Sequence, residues 1–171
     1  QASVKDVVRK ASREVKGMDS SKVEDFIKNY PAQVTLLGIQ FLWTEDCETA
    51  ILRYAKTDKK ALTECKKKNN ALLVQLSELT TNDKVSKIDR RKIETLITIQ
   101  VHQKDVFDEM ARKKVKDISS FDWQKQARFY FNNDVDTCEV KICDIDFEYC
   151  NEYLGVKERL VITPLTDRCY I

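Results

Sequence analysis

The sequence predicts a mainly helical chain, a bundle of long helices to about residue 120 followed by a small antiparallel β meander over about 127–150. Two observations carry that expectation. Only three glycines and two prolines occur in 171 residues, far below the roughly 12% of an average chain, so turns are few and elements are long. Apolar residues recur at helical spacing along the first two thirds, and the period drops to two after Phe121-Asp122-Trp123.

Taken in order, Val4, Val7 and Val8, then Val23, Phe26 and Ile27, mark two short helices punctuated by Gly17, with Asp19 or Ser20 as a cap for the second. Pro31 stands in the first turn of the next helix, where a missing N–H costs nothing. Val34, Leu37, Phe41, Trp43, Ala50, Ile51 and Tyr54 carry that helix to about Ala55, with Gly38 a weak point inside it. Thr57 and Asp58 suit the cap of a fourth helix bearing Leu62, Cys65, Leu72, Leu73, Leu76 and Leu79, and Thr80 to Asp83 form a loop. The Lys66-Lys67-Lys68 run on that helix reads as a solvated face with snorkelling stems.

The clearest helix runs from about Ser86 to Lys116. At 100° per residue its apolar positions, from Ile88 through Leu96, Ile99, Phe107 and Met110 to Ile93, Ile97, Val101 and Val115, cover an arc of about 220°, which predicts a central helix with neighbours on more than one side. Beyond it, Phe129 and Phe131 alternate with Arg128 and Tyr130. Cys138, Val140 and Ile142 oppose Glu139 and Lys141, and Ile145, Phe147 and Tyr149 oppose Asp146 and Glu148. Three short antiparallel strands fit, with Asn132-Asn133-Asp134 as a turn. Leu160-Val161-Ile162 is a last apolar run stopped by Thr163-Pro164.

Charge and composition narrow the function classes. Thirty Lys and Arg against 28 Asp and Glu give a net charge of +2, unlike the clustered basic excess of a dedicated nucleic-acid binder. Hydrophobic residues at 42% and charged residues at 34% suit a folded chain, and no stretch nears the roughly 20 apolar residues of a membrane crossing. The chain begins at Gln1, without an initiator Met or a targeting segment, and stops at Ile171 inside what reads as a structured element, so it is expected to be part of something larger.

Catalytic and metal motifs are poorly supported. The cysteines at 47, 65, 138, 143, 150 and 169 form no C-x-x-C pair and His102 is the only histidine, so buried free thiols are expected rather than a zinc site or a thiol enzyme. Asp134, Asp136, Asp144 and Asp146 lack the glycine and closing Glu of a calcium loop. His102 falls on the polar side of its helix as a solvent-edge residue, and Trp43 and Trp123 read as core or interface anchors. Gly17, Gly38 and Gly155 are far apart and none precedes a G-K-S/T, so no phosphate-binding loop lies in these residues.

Four blocks in order go further. Pro31-Ala32-Gln33-Val34 with Trp43-Thr44, the helix from Glu94 to Asp105 around Val101-His102, the stretch Phe121-Asp122-Trp123-Gln124-Lys125-Gln126-Ala127-Arg128-Phe129-Tyr130, and Asn151 to Gly155 followed by Arg159 to Tyr170 together resemble the dynein heavy chains. The wording "PAQVTLLGIQFLWT" and "RFYF" is most similar to an axonemal outer-arm heavy chain. The resemblance implies that residues 1–150 are the C-terminal part of the dynein linker, the lever that bends over the AAA+ ring, and that 151–171 are the edge of the first AAA+ module, its first strand and loop. It implies that Val161, Ile162, Pro164 and Leu165 wall the adenine of bound ATP or ADP, with Mg held by residues outside this chain. The implied partners are the remainder of the same heavy chain, a microtubule reached through distant parts, and other dynein subunits, in a ciliary axoneme; neither nucleic acid nor membrane is implied. The rival from another class is a free-standing helical cytoskeletal interaction module without nucleotide chemistry.

Overall fold

The computed structural model describes residues 3–16, 18, 22–83 and 85–156. Six helices precede a three-stranded antiparallel sheet: α1 Val4–Val15, α2 Val23–Asn29, α3 Ala32–Ala55, α4 Ala61–Thr81, α5 Lys87–Arg112, α6 Phe121–Gln124, β1 Arg128–Asn132, β2 Thr137–Ile142 and β3 Ile145–Glu148. The helical body and meander follow the sequence expectation closely. The caps do so only in part. Ser3 starts α1 through a capping box with Asp6, and Ser86 accepts from the Asp89 N–H to start α5. Pro31 sits one residue ahead of the helical turn, as the N-cap of α3. Neither α2 nor α4 has a side-chain cap: Lys22 and Lys60 occupy those positions, while Asp19 and Ser20 lie outside the described residues. Asp58 instead accepts from the Lys60 N–H, and Thr57 adopts the left-handed φ of 83° that turns the chain out of α3.

The central element is α3, not α5. Twelve α3 residues are buried, spread around the helix rather than along one stripe, and α1, α2, α4, α5 and β1 all pack on it. A helix apolar on every side has to be surrounded. On α5 the broad arc narrows: Ile88 is exposed, Ile97, Ile99 and Val101 are half-buried, and the fully buried line is Ile93, Leu96, Gln100, Gln103, Phe107 and Met110. Those spacings alternate three and four. The buried line of α4, Leu62, Cys65, Asn69, Leu72, Leu76 and Leu79, has the same alternation. Two such seams joined by a short loop pack antiparallel in the manner of a coiled coil, and the ion pair of Lys66 with Asp108 at 3.2 Å belongs to that pairing. Lys68 reaches Asp46 of α3 at 2.7 Å, so two lysines of the basic run brace neighbouring helices.

Two apolar cores result. The first gathers α1, α2, the N-terminal half of α3 through Leu42, the ends of α4 and α5 nearest their loop, and Cys138 of the sheet. The second begins at Trp43 and includes Cys47, Ile51, Leu62, Phe107, Met110 and Trp123. Trp43 and Trp123 stack at a tilt with ring centroids 5.5 Å apart, which makes them core anchors.

Gly38 lets the first core close. A Cβ at this position would lie 2.7 Å from Phe26 Cζ and 2.9 Å from Val15 Cγ2, and both neighbours are fully enclosed. The glycine that looked like a weak point is therefore the place where α1 and α2 approach α3. Alanine would improve helix propensity by about 1 kcal/mol, yet overpacking a closed core costs about 1–3 kcal/mol. Gly38→Ala is expected to be net destabilising in a denaturant titration, and Phe26→Leu in the same chain to recover part of the loss.

Candidate functional site

The sheet is tied to α3 along one helical face. Phe41, Thr44 and Glu48 recur at helical spacing on α3 and meet successive residues of β1. The Thr44 hydroxyl donates to the Gln40 carbonyl at 2.9 Å and accepts from the Phe129 N–H at 3.0 Å. One turn on, the Glu48 carboxylate accepts from the Tyr130 hydroxyl and, at 3.4 Å, from the Trp123 indole N–H. Phe41 and Phe131 pack edge to face with centroids 6.2 Å apart. Burial, and then the hydrogen bond to Glu48, pushes the Tyr130 phenol well above its ordinary pKa, so it remains a donor across the physiological range. Beside this contact an open groove of about 310 Å³ runs between α1, α3 and β1, with Phe41, Leu52 and Phe131 in its walls.

The remaining sheet contacts fix its far corners. Strand register pairs Phe129 with Val140 and Phe131 with Cys138, then Val140 with Phe147, which puts the alternating apolar residues on one face. The turn between β2 and β3 is held where the Cys143 N–H donates to the Gln124 carbonyl at 2.7 Å and the Arg128 guanidinium donates to the Cys143 carbonyl at 3.0 Å. Arg9 of α1 pairs with Asp136 at 3.0 Å in the turn between β1 and β2.

The chain leaves the sheet at Tyr149. Its N–H donates to the Cys138 carbonyl at 2.8 Å, its ring packs against the first core, and its hydroxyl accepts from Gln33 Nε2 at 2.8 Å. Gln33 lies in the first turn of α3, so the start of the central helix grips the start of the C-terminal segment. Asn151 and Gly155, with φ of 59° and 86°, turn that segment away, and Leu154 is fully exposed.

The predicted adenine-wall residues Val161, Ile162, Pro164 and Leu165 lie outside the described residues, as do Arg168 and Cys169. His102 is exposed on α5. The cysteines divide: Cys47, Cys65 and Cys138 are buried free thiols, whereas Cys143 is half-buried and Cys150 exposed, so burial does not extend to all of them. Burial pushes the Cys138 thiol up to about 12 and raises that of Cys47, which removes both as nucleophiles at neutral pH. Among the described residues no group of three or more His, Cys, Asp or Glu is placed to hold a metal ion, and no helix is long and apolar enough to cross a membrane. The arrangement fastens a sheet and an exit segment to one helix, α3.

Residues 149–171 match the family described as the hydrolytic ATP binding site of the dynein motor region. Over 169 residues the chain is 48% identical to the dynein gamma chain of the flagellar outer arm of Chlamydomonas reinhardtii, covering 99% of this chain and 4% of that protein. The chain belongs to the dynein heavy-chain family. Human dynein axonemal heavy chain 8 is 54% identical over 146 residues, 85% of this chain and 3% of its own length, and mouse axonemal heavy chain 5 is 49% identical over all 171 residues, 4% of its length. Human axonemal heavy chain 2 is 39% identical over 152 residues, 88% of this chain and 3% of its own length. This dynein segment spans only about 4% of the length of the relatives it matches. The family match opens at Tyr149, the residue gripped by Gln33.

Sequence reasoning missed Thr44, Glu48 and the Gln33–Tyr149 pair as structural contacts. Glu48 and Tyr130 are 82 positions apart and Gln33 and Tyr149 are 116 apart, and no local pattern links them. Thr44→Val keeps the volume of Thr44 but leaves the Phe129 N–H without an acceptor. It is expected to destabilise the β1 edge by about 1–3 kcal/mol, seen as faster amide exchange at Phe129 and its neighbours, with Thr44→Ser largely restoring protection.

Proposed function

We propose that this chain works as the end of the lever in an ATP-driven microtubule motor, joined covalently to the wall of that motor's main nucleotide site. Residues 1–150 act as the C-terminal part of the dynein linker, and 151–171 as the edge of the first AAA+ module. The observation that carries this reading is the coincidence at Tyr149, where the sequence similar to a dynein ATP-binding region begins and where α3 holds the chain. A lever passes on force only if its length resists bending, and helices packed on two close-packed cores supply that resistance. The exit segment, held at Tyr149, then carries displacement of the body to the nucleotide wall within a few residues.

The chemistry of that wall suits a purine. Val161, Ile162, Pro164 and Leu165 are apolar, carry no charge to desolvate, and include one residue of fixed φ. Hydrolysis belongs elsewhere in the heavy chain. The phosphate loop, the magnesium ligands and a transition-state arginine are the parts that phosphoryl transfer needs, and this chain has no G-K-S/T for the first of them. The working partners are the rest of the heavy chain, a microtubule reached through distant parts and other dynein subunits, in a ciliary or flagellar axoneme.

In a heavy chain carrying this segment, Pro164→Gly or Leu165→Asp is expected to weaken nucleotide binding more than Lys67→Ala on the exposed face of α4; equal effects in a nucleotide-binding assay overturn the adenine wall. The 171-residue chain alone is expected to show no ATP binding by isothermal titration at micromolar concentration, and a micromolar Kd there contradicts the division of labour.

A further inference from the structure

Two thiols meet between α3 and α4. Cys47 lies on α3 and Cys65 on α4, both belong to the second core, and they are 0% and 7% exposed. The Cys65 thiol donates to the main-chain carbonyl of Asp46 at 3.7 Å, the peptide group that leads directly into Cys47. The side chains of Cys47 and Cys65 hydrogen-bond to one another, and Asn69 Nδ2 donates to the Cys65 sulfur at 3.9 Å. Small residues flank the pair. Ala50 follows Cys47 by three positions and Ala61 precedes Cys65 by four, so each shares its cysteine's helical face, and both are buried. Such residues let two helices approach closely, as a disulfide requires, with its Cα atoms about 4.4–6.8 Å apart.

Burial keeps the pair reduced at rest. Burial, then the hydrogen bond with Cys65 and the carboxylates of Asp46 and Glu48, raises the Cys47 thiol, so it does not meet reagents from solution as a thiolate. Cys65 is the more accessible sulfur of the two. An oxidant small enough to reach it leaves a modified sulfur already in contact with the second thiol, and that second step is intramolecular.

We propose that Cys47 and Cys65 form a reversible oxidation site, a dithiol that hydrogen peroxide converts into a disulfide stapling α3 to α4. Cys65 gives up its proton and attacks the peroxide; the O–O bond breaks, Cys65 becomes a sulfenic acid, and one water leaves. The Cys47 sulfur then attacks the Cys65 sulfur. The S–S bond forms as the S–O bond breaks, and the departing hydroxide takes the Cys47 proton as the second water. Two thiols thereby lose two electrons and two protons, and one peroxide is reduced to two waters. The new bond spans 18 positions (65 − 47), from the C-terminal half of α3 to the first turns of α4, and restricts local opening of that helical hairpin.

Peptide mapping of a heavy chain carrying this segment tests the site. The folded chain is treated with hydrogen peroxide, quenched in acid, alkylated under denaturing conditions and digested without reductant. Mass spectrometry should then find a peptide joined through Cys47 and Cys65 that dithiothreitol splits. Under the same treatment Cys65→Ser should leave Cys47 a free, alkylatable thiol, and Cys47→Ser should leave Cys65 as a sulfenic acid that dimedone traps. Three results each overturn the proposal: no joined peptide at any peroxide concentration that leaves the chain folded, a joined peptide that appears only when the oxidant is added in urea, or Cys47 oxidised equally well in the Cys65→Ser variant.

Discussion

Everything in this molecule is arranged around the burial of α3. With twelve residues enclosed on all sides of a 24-residue helix, the chain has to supply a neighbour for each face, and the order of elements along the sequence does so. The first two helices close over its N-terminal half, where Gly38 permits contact with Phe26 and Val15. The α4–α5 pair covers another side, and β1 lies along the line of Phe41, Thr44 and Glu48. The first strand of the sheet is hydrogen-bonded to Thr44 and Glu48 of α3, while α1 and α6 hold the sheet's two turns through Arg9 and Gln124.

The α4–α5 seam adds a second constraint, one of register. An uninterrupted apolar seam slides by one helical turn at little cost, whereas a buried amide that must find its partner does not. Gln100 makes such a contact, its Nε2 donating to the Asn69 main-chain carbonyl across the seam. The ion pairs from Lys66 and Lys68 reinforce the same alignment from outside, each modestly, because both lysines are half exposed. The α4–α5 seam runs from one core into the other, with Leu62 and Cys65 in the second core and Leu72, Leu76 and Leu79 in the first.

That continuous packing bears on the role proposed for this dynein segment. If the body were compliant, movement at one end would dissipate in side-chain rearrangement before it reached the C-terminal segment. The Gln33–Tyr149 contact sits at the N-terminal end of α3, and Tyr149 also packs into the first core and pairs with β2. Three independent attachments converge on one residue, beyond which the chain turns away through Asn151 and Gly155. The place where the packed body ends and the C-terminal segment begins is thus defined by contacts.

Local pattern was enough for the mainly helical class, the three strands with their alternating faces, the solvent-edge His102 and the dynein resemblance, because each is written in short-range periodicity or in contiguous motifs. The two central glutamines were legible in principle, since Gln100 and Gln103 fall on the same three-and-four spacing as Ile93, Leu96 and Phe107; counting apolar residues alone hid them and made α5 look central. What only the tertiary structure decided was which helix is surrounded, why Gly38 is there, and that Thr44, Glu48 and Gln33 reach residues 82 to 116 positions away. The physical reason is that periodicity records which face of an element avoids water, while the identity of the neighbour that covers the face depends on chain closure across the whole molecule.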